Sequence, residues 1–331
     1  MKVRLFLLLT LLFITCSVTA QTTAEDHYNR GLELQKNKDY DGAIAAFTKA
    51  IELKPDHVQA YVARGDTYVA KSDDKASIVD YSKAIEVNPG YGYAWLRRGY
   101  SRYYVNDYVG SVGDLSQALK LGEKEVDLWL YRGMCFEQMH NYKQALADFT
   151  YVKKAYPENK WGYHNAGVIY GKLKNNKAAF DEFSMEIKIA PNDAAGYSSR
   201  GSVANGLKRT AIAITDYQKA SELDPKSDGN WNGLAWSYHL SGDDDKALTY
   251  VAKALDLNDK NANALDTRAG ALAGKKRYDE ALADWAKAIE IDPKNPEFYK
   301  NRAKAYRSMK KNDLAKADEA TYRHLEAAAK P

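Results

Sequence analysis

The feature that most constrains this chain is a period of 34 residues that recurs nine times without a gap. The nine blocks span residues 24–57, 58–91, 92–125, 126–159, 160–193, 194–227, 228–261, 262–295 and 296–329. A fixed period of this length is the signature of a repeat array rather than of separate globular domains. Residues that recur at one position of the block should therefore determine the structure.

Two positions of the block always carry a very small side chain, the eighth Gly or Ala and the twentieth Ala or Ser. The eighth position comprises Gly31, Gly65, Gly99, Gly133, Gly167, Gly201, Ala235, Ala269 and Ala303. A side chain of this size lets two backbones approach closely, whereas a larger one would hold them apart. The pattern predicts two closely packed antiparallel helices in each block.

Bulky residues and prolines recur at two further positions. The twenty-fourth position is occupied in eight blocks by Phe47, Tyr81, Leu115, Phe149, Phe183, Tyr217, Val251 and Trp285. The thirty-second position is Pro55, Pro89, Pro157, Pro191, Pro225 and Pro293. The bulky side chains should fill the space that the small residues open. The prolines should end the second helix, because proline disrupts a helix interior.

This pattern resembles the tetratricopeptide repeat (TPR) family, whose signature runs W-x2-L-G-x2-Y, then A-x3-F, then P. The fourth block shows it in Trp129, Gly133, Phe136, Ala145, Phe149 and Pro157. The resemblance covers the chain from residue 24 to residue 329. It implies an all-α fold, a right-handed superhelical solenoid of nine tandem helix hairpins.

The last block changes character where a solenoid should end. Lys316 replaces the apolar residue of the other eight blocks, Glu319 replaces the bulky residue of position twenty-four, and Arg323 replaces an isoleucine. A terminal repeat needs a polar outer face because nothing stacks on it. We expect residues 313–330 to form a polar C-terminal capping helix, which leaves no residues for a catalytic domain.

The first residues have the pattern of an export signal. Lys2 and Arg4 precede an apolar stretch of about ten residues, shorter than the roughly 20 that span a bilayer. Val18 and Ala20 fit a cleavage site between Ala20 and Gln21, which gives a signal peptide over 1–20 and a leader over 21–23. We expect the protein to be secreted across the inner membrane to the periplasm or outside the cell. Cys16 leaves open a lipoprotein anchored through that residue, although Phe13 and Thr15 depart from the usual lipobox.

Composition and motifs argue against most kinds of chemistry. Without Lys2 and Arg4 the 48 basic residues become 46, against 44 acidic ones, so the charge balance predicts no nucleic-acid partner. The histidines are scattered and the cysteines unpaired, so we expect no metal site and no cofactor. The segment Gly270–Gly274, followed by two lysines, lacks the spacing and the Ser/Thr of a phosphate-binding loop. The sequence therefore predicts a protein without enzymatic activity.

The resemblance also suggests where a partner would bind. In TPR proteins, positions two, five, nine, twelve and thirteen of the first helix line a concave groove. Here the candidate groove residues are Tyr93, Leu96, Tyr100, Tyr103, Tyr104, Leu130, Met134, Trp161, His164 and Trp236. Arg102, beside Tyr103, is added as a residue that could stack on that ring or meet an acidic group of a ligand.

The groove positions differ between blocks. Blocks three to five are rich in aromatic residues, which often supply binding energy, whereas block six is small and polar and block nine is basic. We therefore expect a hot spot toward the N-terminal half. The alternative is that neighbouring helices cover these rings, since TPR helices are rich in tyrosine.

Arginine recurs at position seven, in Arg30, Arg64, Arg98, Arg132, Arg200, Arg268 and Arg302. Such regularity favours a structural role over a row of anion sites. We expect the stem to cover the hairpin and the guanidinium to reach water or a neighbouring carbonyl.

The sequence therefore predicts a non-enzymatic scaffold that binds a protein or peptide segment in the TPR groove, as part of an envelope complex. The alternative is a glycan- or small-ligand-binding protein that uses the aromatic groove. Membrane association is expected only if Cys16 is lipidated.

Overall fold

The computed structural model describes residues 22–328, and within them it contains eighteen α-helices and no strand. The helices are α1 (Ala24–Lys36), α2 (Tyr40–Leu53), α3 (Val58–Ala70), α4 (Asp74–Val87), α5 (Gly92–Tyr104), α6 (Tyr108–Lys120), α7 (Val126–Gln138), α8 (Tyr142–Ala155), α9 (Lys160–Lys172), α10 (Asn176–Ile189), α11 (Ala194–Gly206), α12 (Thr210–Leu223), α13 (Asp228–Ser241), α14 (Asp244–Leu257), α15 (Ala262–Gly274), α16 (Tyr278–Ile291), α17 (Pro296–Ser308) and α18 (Asn312–Ala328). The first helix of every repeat begins at the first residue of a 34-residue block.

The chain divides after Lys124 into two compact units. The first unit holds repeats one to three, and the second holds repeats four to nine. Within each unit a helix packs on its hairpin partner and on the helix that follows it in the next repeat. The core is consequently a series of small clusters, such as Phe47 with Ala43 and Ala63.

The packing predicted for positions eight and twenty-four is confirmed. A Cβ added to Gly133 would lie 2.5 Å from the Phe149 ring, and one added to Gly31 would lie 2.4 Å from the Phe47 ring. Both rings are fully buried. In these two hairpins the helices approach so closely that only a hydrogen fits where the ring edge meets the facing backbone.

The turn inside each hairpin places position fifteen of the repeat in the left-handed region. The residues are Lys38, Ser72, Asn106, His140, Lys174, Lys208, Gly242, Lys276 and Lys310. Behind this residue the chain turns back on the first helix, as in repeat eight, where the Arg277 N–H donates to the Leu272 carbonyl at 2.9 Å. Only repeat seven uses glycine, the residue that adopts this conformation without strain.

The recurrent arginines have a structural role, but their partner is a carboxylate rather than water or a carbonyl. Six of them donate two hydrogen bonds to the aspartate sixteen residues later, on the second helix of the same repeat. The pairs are Arg64–Asp80, Arg98–Asp114, Arg132–Asp148, Arg200–Asp216, Arg268–Asp284 and Arg302–Asp318. All six aspartates are buried, so each pair neutralises a charge that folding removes from water.

In three pairs the arginine also bonds to the preceding repeat. The donor is the arginine Nη1 in each case. Arg64 donates to Thr48 at 2.8 Å, Arg98 to Ser82 at 2.9 Å, and Arg200 to Ser184 at 3.3 Å. Each hydroxyl lies on the second helix of the repeat before. These arginines therefore connect three helices.

The C-terminal helix α18 has the polar outer face that the sequence predicts. Lys316 and Arg323 are exposed, whereas Ala315 and Asp318 face inward and are buried. Among the described residues no helix is both long and apolar enough to cross a bilayer. The predicted signal peptide, Cys16 and the cleavage site at Ala20 and Gln21 lie outside the described residues.

Candidate functional site

The first unit contains six of the predicted groove residues, all on α5. Tyr93, Tyr100 and Tyr103 are half-buried, and Tyr104 is 56% exposed. The Tyr103 and Tyr104 rings meet edge to face with centroids 5.5 Å apart. Leu96, by contrast, is fully buried. Leu96 is therefore a core residue and offers no surface to a partner, contrary to the expectation from its position.

Arg102 forms its ion pairs within its own hairpin. Its Nη1 donates to the buried carboxylate of Asp114 at 2.8 Å, and its Nε lies 3.4 Å from Asp107. Two acidic side chains of the protein therefore already neutralise it, and its stacking on Tyr103 or its contact with a ligand stays a prediction. Arg102 therefore holds the two helices of its own hairpin together.

In the second unit, the predicted groove residues of repeats four and five are also unequal. Leu130 is buried in the core, and Met134 packs against the same cluster. Trp161 is 46% exposed, and the Lys160 ammonium lies 4.4 Å from its ring centroid. His164 Nδ1 lies 3.0 Å from the buried carboxylate of Glu186. Only Trp161 presents a large open apolar surface here.

Trp236, the remaining predicted residue, lies in a cavity of about 710 Å³. The cavity lies within the second unit between the first helices of repeats seven, eight and nine, which are α13, α15 and α17, and Tyr278 and Trp285 of α16 complete its lining. Its lining includes Trp236, His239, Asn263, Asp266, Asn301 and Lys304. We refer to it as the C-terminal cavity.

The depth of the C-terminal cavity depends on two glycines of α15. Gly270 and Gly274 both line it, at positions that carry side chains in most other repeats. A Cβ on Gly270 would lie 3.2 Å from His239 Nε2, and one on Gly274 would lie 2.0 Å from an Asp244 oxygen. The segment with a superficial likeness to a phosphate loop is thus helical, and it forms the floor of the cavity.

Asp266 is the central polar group of the C-terminal cavity. Its carboxylate accepts hydrogen bonds from Trp285 Nε1 at 2.6 Å and from Asn301 Nδ2 at 3.1 Å. Burial raises the pKa of Asp266 and the negative charge of Glu297 adds to this, whereas the two hydrogen bonds and the nearby His239 oppose it. The cavity therefore contains a carboxylate whose charge is incompletely compensated.

A second acceptor in the cavity has no partner. The side-chain oxygen of Asn232 is buried and makes no hydrogen bond within residues 22–328. A buried acceptor left unpaired costs about 1–3 kcal/mol, so a donor from a bound molecule would be favoured there.

The other charged groups of the cavity are already paired. The Lys300 ammonium donates to Glu297 at 3.0 Å, and Lys304 donates to the Asn301 side-chain oxygen at 3.2 Å. His239 Nδ1 lies 2.6 Å from Asp244, and its ring centroid lies 5.4 Å from that of Trp236. These contacts fix one aromatic wall beside the acceptors.

The cavity offers ring surface and hydrogen-bond acceptors, which suit binding. Within residues 22–328 no group of three His, Cys, Asp or Glu side chains is placed to hold a metal ion. The sequence singled out Trp236 but not Asp266, Asn232 or the two glycines. Position five is apolar in repeats two to four, with Val62, Leu96 and Leu130, and polar from repeat five onward. Asn232 and Asp266 belong to that polar run, which was the available sequence signal.

Models of the tetratricopeptide repeat match most of the repeat array. The matches described as tetratricopeptide repeat cover residues 24–57, 58–91, 96–160 and 229–261, and one described as TPR repeat covers 270–309. Together they account for more than half of the chain. A search of the curated proteins finds no match to this sequence.

Solved structures share the fold at low identity. A tetratricopeptide repeat protein from Parabacteroides merdae has a TM-score of 0.59 at 14% identity, covering 75% of this chain and 98% of its own. The C-terminal part of a TPR repeat-containing protein from Cytophaga hutchinsonii has a TM-score of 0.59 at 16% identity, covering 72% and 97%. The APC/C hetero-tetramer Cut9–Hcn1 has a TM-score of 0.58 at 18% identity, covering 80% and 52%. The helix pairs, the packing of positions eight and twenty-four and these matches agree: the chain belongs to the tetratricopeptide repeat family.

Proposed function

We propose that this protein is a non-enzymatic scaffold that binds an extended segment of a partner protein, and that the C-terminal cavity is its main contact. TPR chains are in general protein-interaction scaffolds. The observation that carries the proposal is the cavity itself, whose volume of about 710 Å³ falls within the range of about 300–1,000 Å³ typical of ligand sites.

The walls of the cavity favour a segment of polypeptide. Three consecutive first helices form them, so the site extends along the direction in which repeats follow one another. Each of these helices packs on its neighbours through buried clusters, and a preformed surface loses little ordering entropy on binding. An extended peptide would bring its own backbone donors and acceptors to the cavity.

The glycan alternative rests on Trp161, which is the most exposed tryptophan of the predicted groove. The Lys160 ammonium lies over this ring, and His164 meets it edge to face at 5.6 Å. A sugar would have to displace the lysine or use the opposite face of the ring. In the cavity around Trp236, by contrast, the Asn232 side-chain oxygen is free to accept a hydrogen bond from a bound molecule. We therefore favour a peptide in the cavity over a glycan at Trp161.

We further propose that the protein acts in the cell envelope, because its first residues fit an export signal. The N-terminus of the mature protein tests this directly. Mass spectrometry of protein from the native envelope should find Gln21 as the first residue. An acyl chain on Cys16 would instead establish the lipoprotein alternative, and an intact Met1 would contradict export.

Peptide selection tests the binding site. A library of random 12-residue peptides is selected on the immobilised protein, and recovered peptides are measured on Asn263→Trp, which puts an indole into the cavity at an exposed lining position. The matched control is Asn192→Trp, an exposed loop residue that does not line the cavity. Binding should be lost in the first variant and kept in the second. Peptides that bind both equally would contradict the assignment, and selection of cell-wall polysaccharide with loss on Trp161→Ala would favour the glycan alternative.

A further inference from the structure

The C-terminal cavity contains two acceptors that the protein itself satisfies incompletely, the Asn232 side-chain oxygen and the Asp266 carboxylate. The Asn232 oxygen is buried without a partner, and Asp266 is a partly buried carboxylate whose only described donors are one indole and one amide. Within residues 22–328 no Lys or Arg forms an ion pair with Asp266, at position five, whereas the buried aspartates at position twenty-three of six repeats each bind an arginine. Asp266 thus lacks the arginine partner that those aspartates have.

The lysines near the cavity do not fill this role. Lys300 is held by Glu297, and Lys304 is bound to the side-chain oxygen of Asn301. His239 is engaged by Asp244. Glu297 and Lys300 offset one another, and His239 is held against Asp244, so Asp266 and Lys304 are the charges left without an oppositely charged partner. Lys304 is exposed, whereas Asp266 lies deeper, so the inner part of the cavity is negative.

From this we infer that the C-terminal cavity is a specificity pocket for a basic side chain of the partner segment, with arginine preferred, seated against Asp266 and Asn232 and beside the Trp236 ring. The inference rests on the proposed function and names the chemistry of the segment. A guanidinium is planar and carries five donors, so it can serve a carboxylate and a separate amide oxygen together. An ammonium has three donors about one point.

The surrounding rings and glycines fit the same ligand. Trp236 and His239 form one wall, and an arginine stacked on an indole gains about 0.5–2 kcal/mol, more where water is excluded. Gly270 and Gly274 leave room for the long aliphatic stem, because neither projects a side chain into the cavity. Burial has already raised the pKa of Asp266, and a bound cation would reverse that change.

The direct probe is N-acetyl-L-argininamide, titrated into the protein while the indole N–H signals are followed by NMR. Trp285 donates to Asp266, so its indole signal reports on the carboxylate itself. The uncharged isostere N-acetyl-L-citrullinamide is the matched ligand, and N-acetyl-L-lysinamide separates guanidinium from ammonium. We expect the Trp285 and Trp236 signals to shift with the arginine derivative and to require at least tenfold more citrulline derivative. The lysine derivative should lie between them.

Asp266→Asn is the matched protein variant, because it keeps the shape and an acceptor for Trp285. It should abolish the preference for arginine over citrulline. Equal shifts with the two derivatives in the original protein, or an unchanged preference in Asp266→Asn, would overturn the inference. The peptides selected from the 12-residue library separate this from the proposed function. If they bind in the cavity without a basic residue at a fixed position, the pocket assignment is wrong and the scaffold assignment stands; if none binds there, the scaffold assignment fails.

Discussion

Arg64 and Asp80 form a two-point ion pair across the hairpin of repeat two. The arginine Nε and Nη2 donate to the two carboxylate oxygens at 2.8 and 2.7 Å, and the hydrogen bonds to Asp80 raise the pKa of Arg64. Repeat seven has Leu234 and Tyr250 at the two equivalent positions. The same hairpin can therefore form with an apolar pair, which makes the contribution of the charges measurable.

Asp80→Ala should destabilise the protein by about 3 kcal/mol, because it leaves the Arg64 charge partly buried without its partner. The double substitution Arg64→Leu/Asp80→Tyr, which copies repeat seven, should recover most of that loss. Urea unfolding followed by circular dichroism measures both. A double variant as unstable as the single one would show that the pair itself, and not the relief of a stranded charge, stabilises the hairpin.

Gly133→Ala should lower the free energy of unfolding by about 1–3 kcal/mol, because the new methyl would overlap the Phe149 ring. The control is Gly171→Ala in α9, where a Cβ meets nothing within 4 Å. Alanine is the better helix former, so that variant should gain up to about 1 kcal/mol. Thermal unfolding of the two variants compares them, and opposite signs are the expected result.

Lys276→Gly should stabilise the protein by about 0.5–1 kcal/mol. Lys276 has a φ of 61°, a region that costs L-residues other than glycine about 1 kcal/mol or more. Lys275→Gly, one residue earlier at a φ of −85°, relieves no strain and should be neutral or destabilising. The shift in melting temperature distinguishes them. Equal shifts would mean that loss of a lysine charge, rather than the backbone, is the cause.

Asp266 should make stability fall as the pH rises. Its native pKa is raised, so between the unfolded value and the higher native value the native state binds more protons than the unfolded state. Asp266→Asn removes this charge, and it should be more stable than the original protein at about pH 7 and equally stable below about pH 3. Melting temperatures across this range test the sign. A variant that is less stable at about pH 7 would show that the ionised carboxylate is favoured in the fold.

Trp236→Ala should weaken binding of a cavity peptide by about 1–3 kcal/mol, as expected for a central aromatic contact. Trp161→Ala is the comparison, since the sequence placed both tryptophans in the groove and the structure places only Trp236 in the cavity. Fluorescence polarisation of a labelled library peptide gives both affinities. A larger loss with Trp161→Ala would return the hot spot to the repeats that the sequence favoured.

The sequence predicted the hairpin because its determinants recur at one position. Small residues such as Gly133 and bulky ones such as Phe149 meet inside a single repeat, and a period of 34 exposes both. The arginine–aspartate pairs follow the same period, because the aspartate recurs sixteen residues after the arginine. The recurrence of the arginines alone does not reveal this pairing, because the pairing appears only when two positions of the block are compared.

The site was less predictable, because it depends on differences between neighbouring repeats. Leu96 and Asp266 occupy the same repeat position, yet the leucine is fully buried and the aspartate lines a cavity. An apolar side chain at position five is covered by the neighbouring helices, whereas a polar one stays partly accessible. The cavity also requires glycine at both 270 and 274. Assigning groove residues one repeat position at a time does not reveal that two positions of one helix act together.

The arginine bonds that connect three helices in the earlier repeats imply a gradient of local unfolding. Position twenty-five carries Thr48, Ser82 and Ser184 in three of them, but Ala252 and Ala286 in repeats seven and eight. Arg268 and Arg302 therefore bind only their own aspartates among the described hydrogen bonds. In a linear array governed by nearest-neighbour coupling, the weakest junctions open first. Amide hydrogens of α17 and α18 should therefore exchange with solvent earliest. A molecule bound across repeats seven to nine would stabilise these C-terminal repeats and slow that exchange.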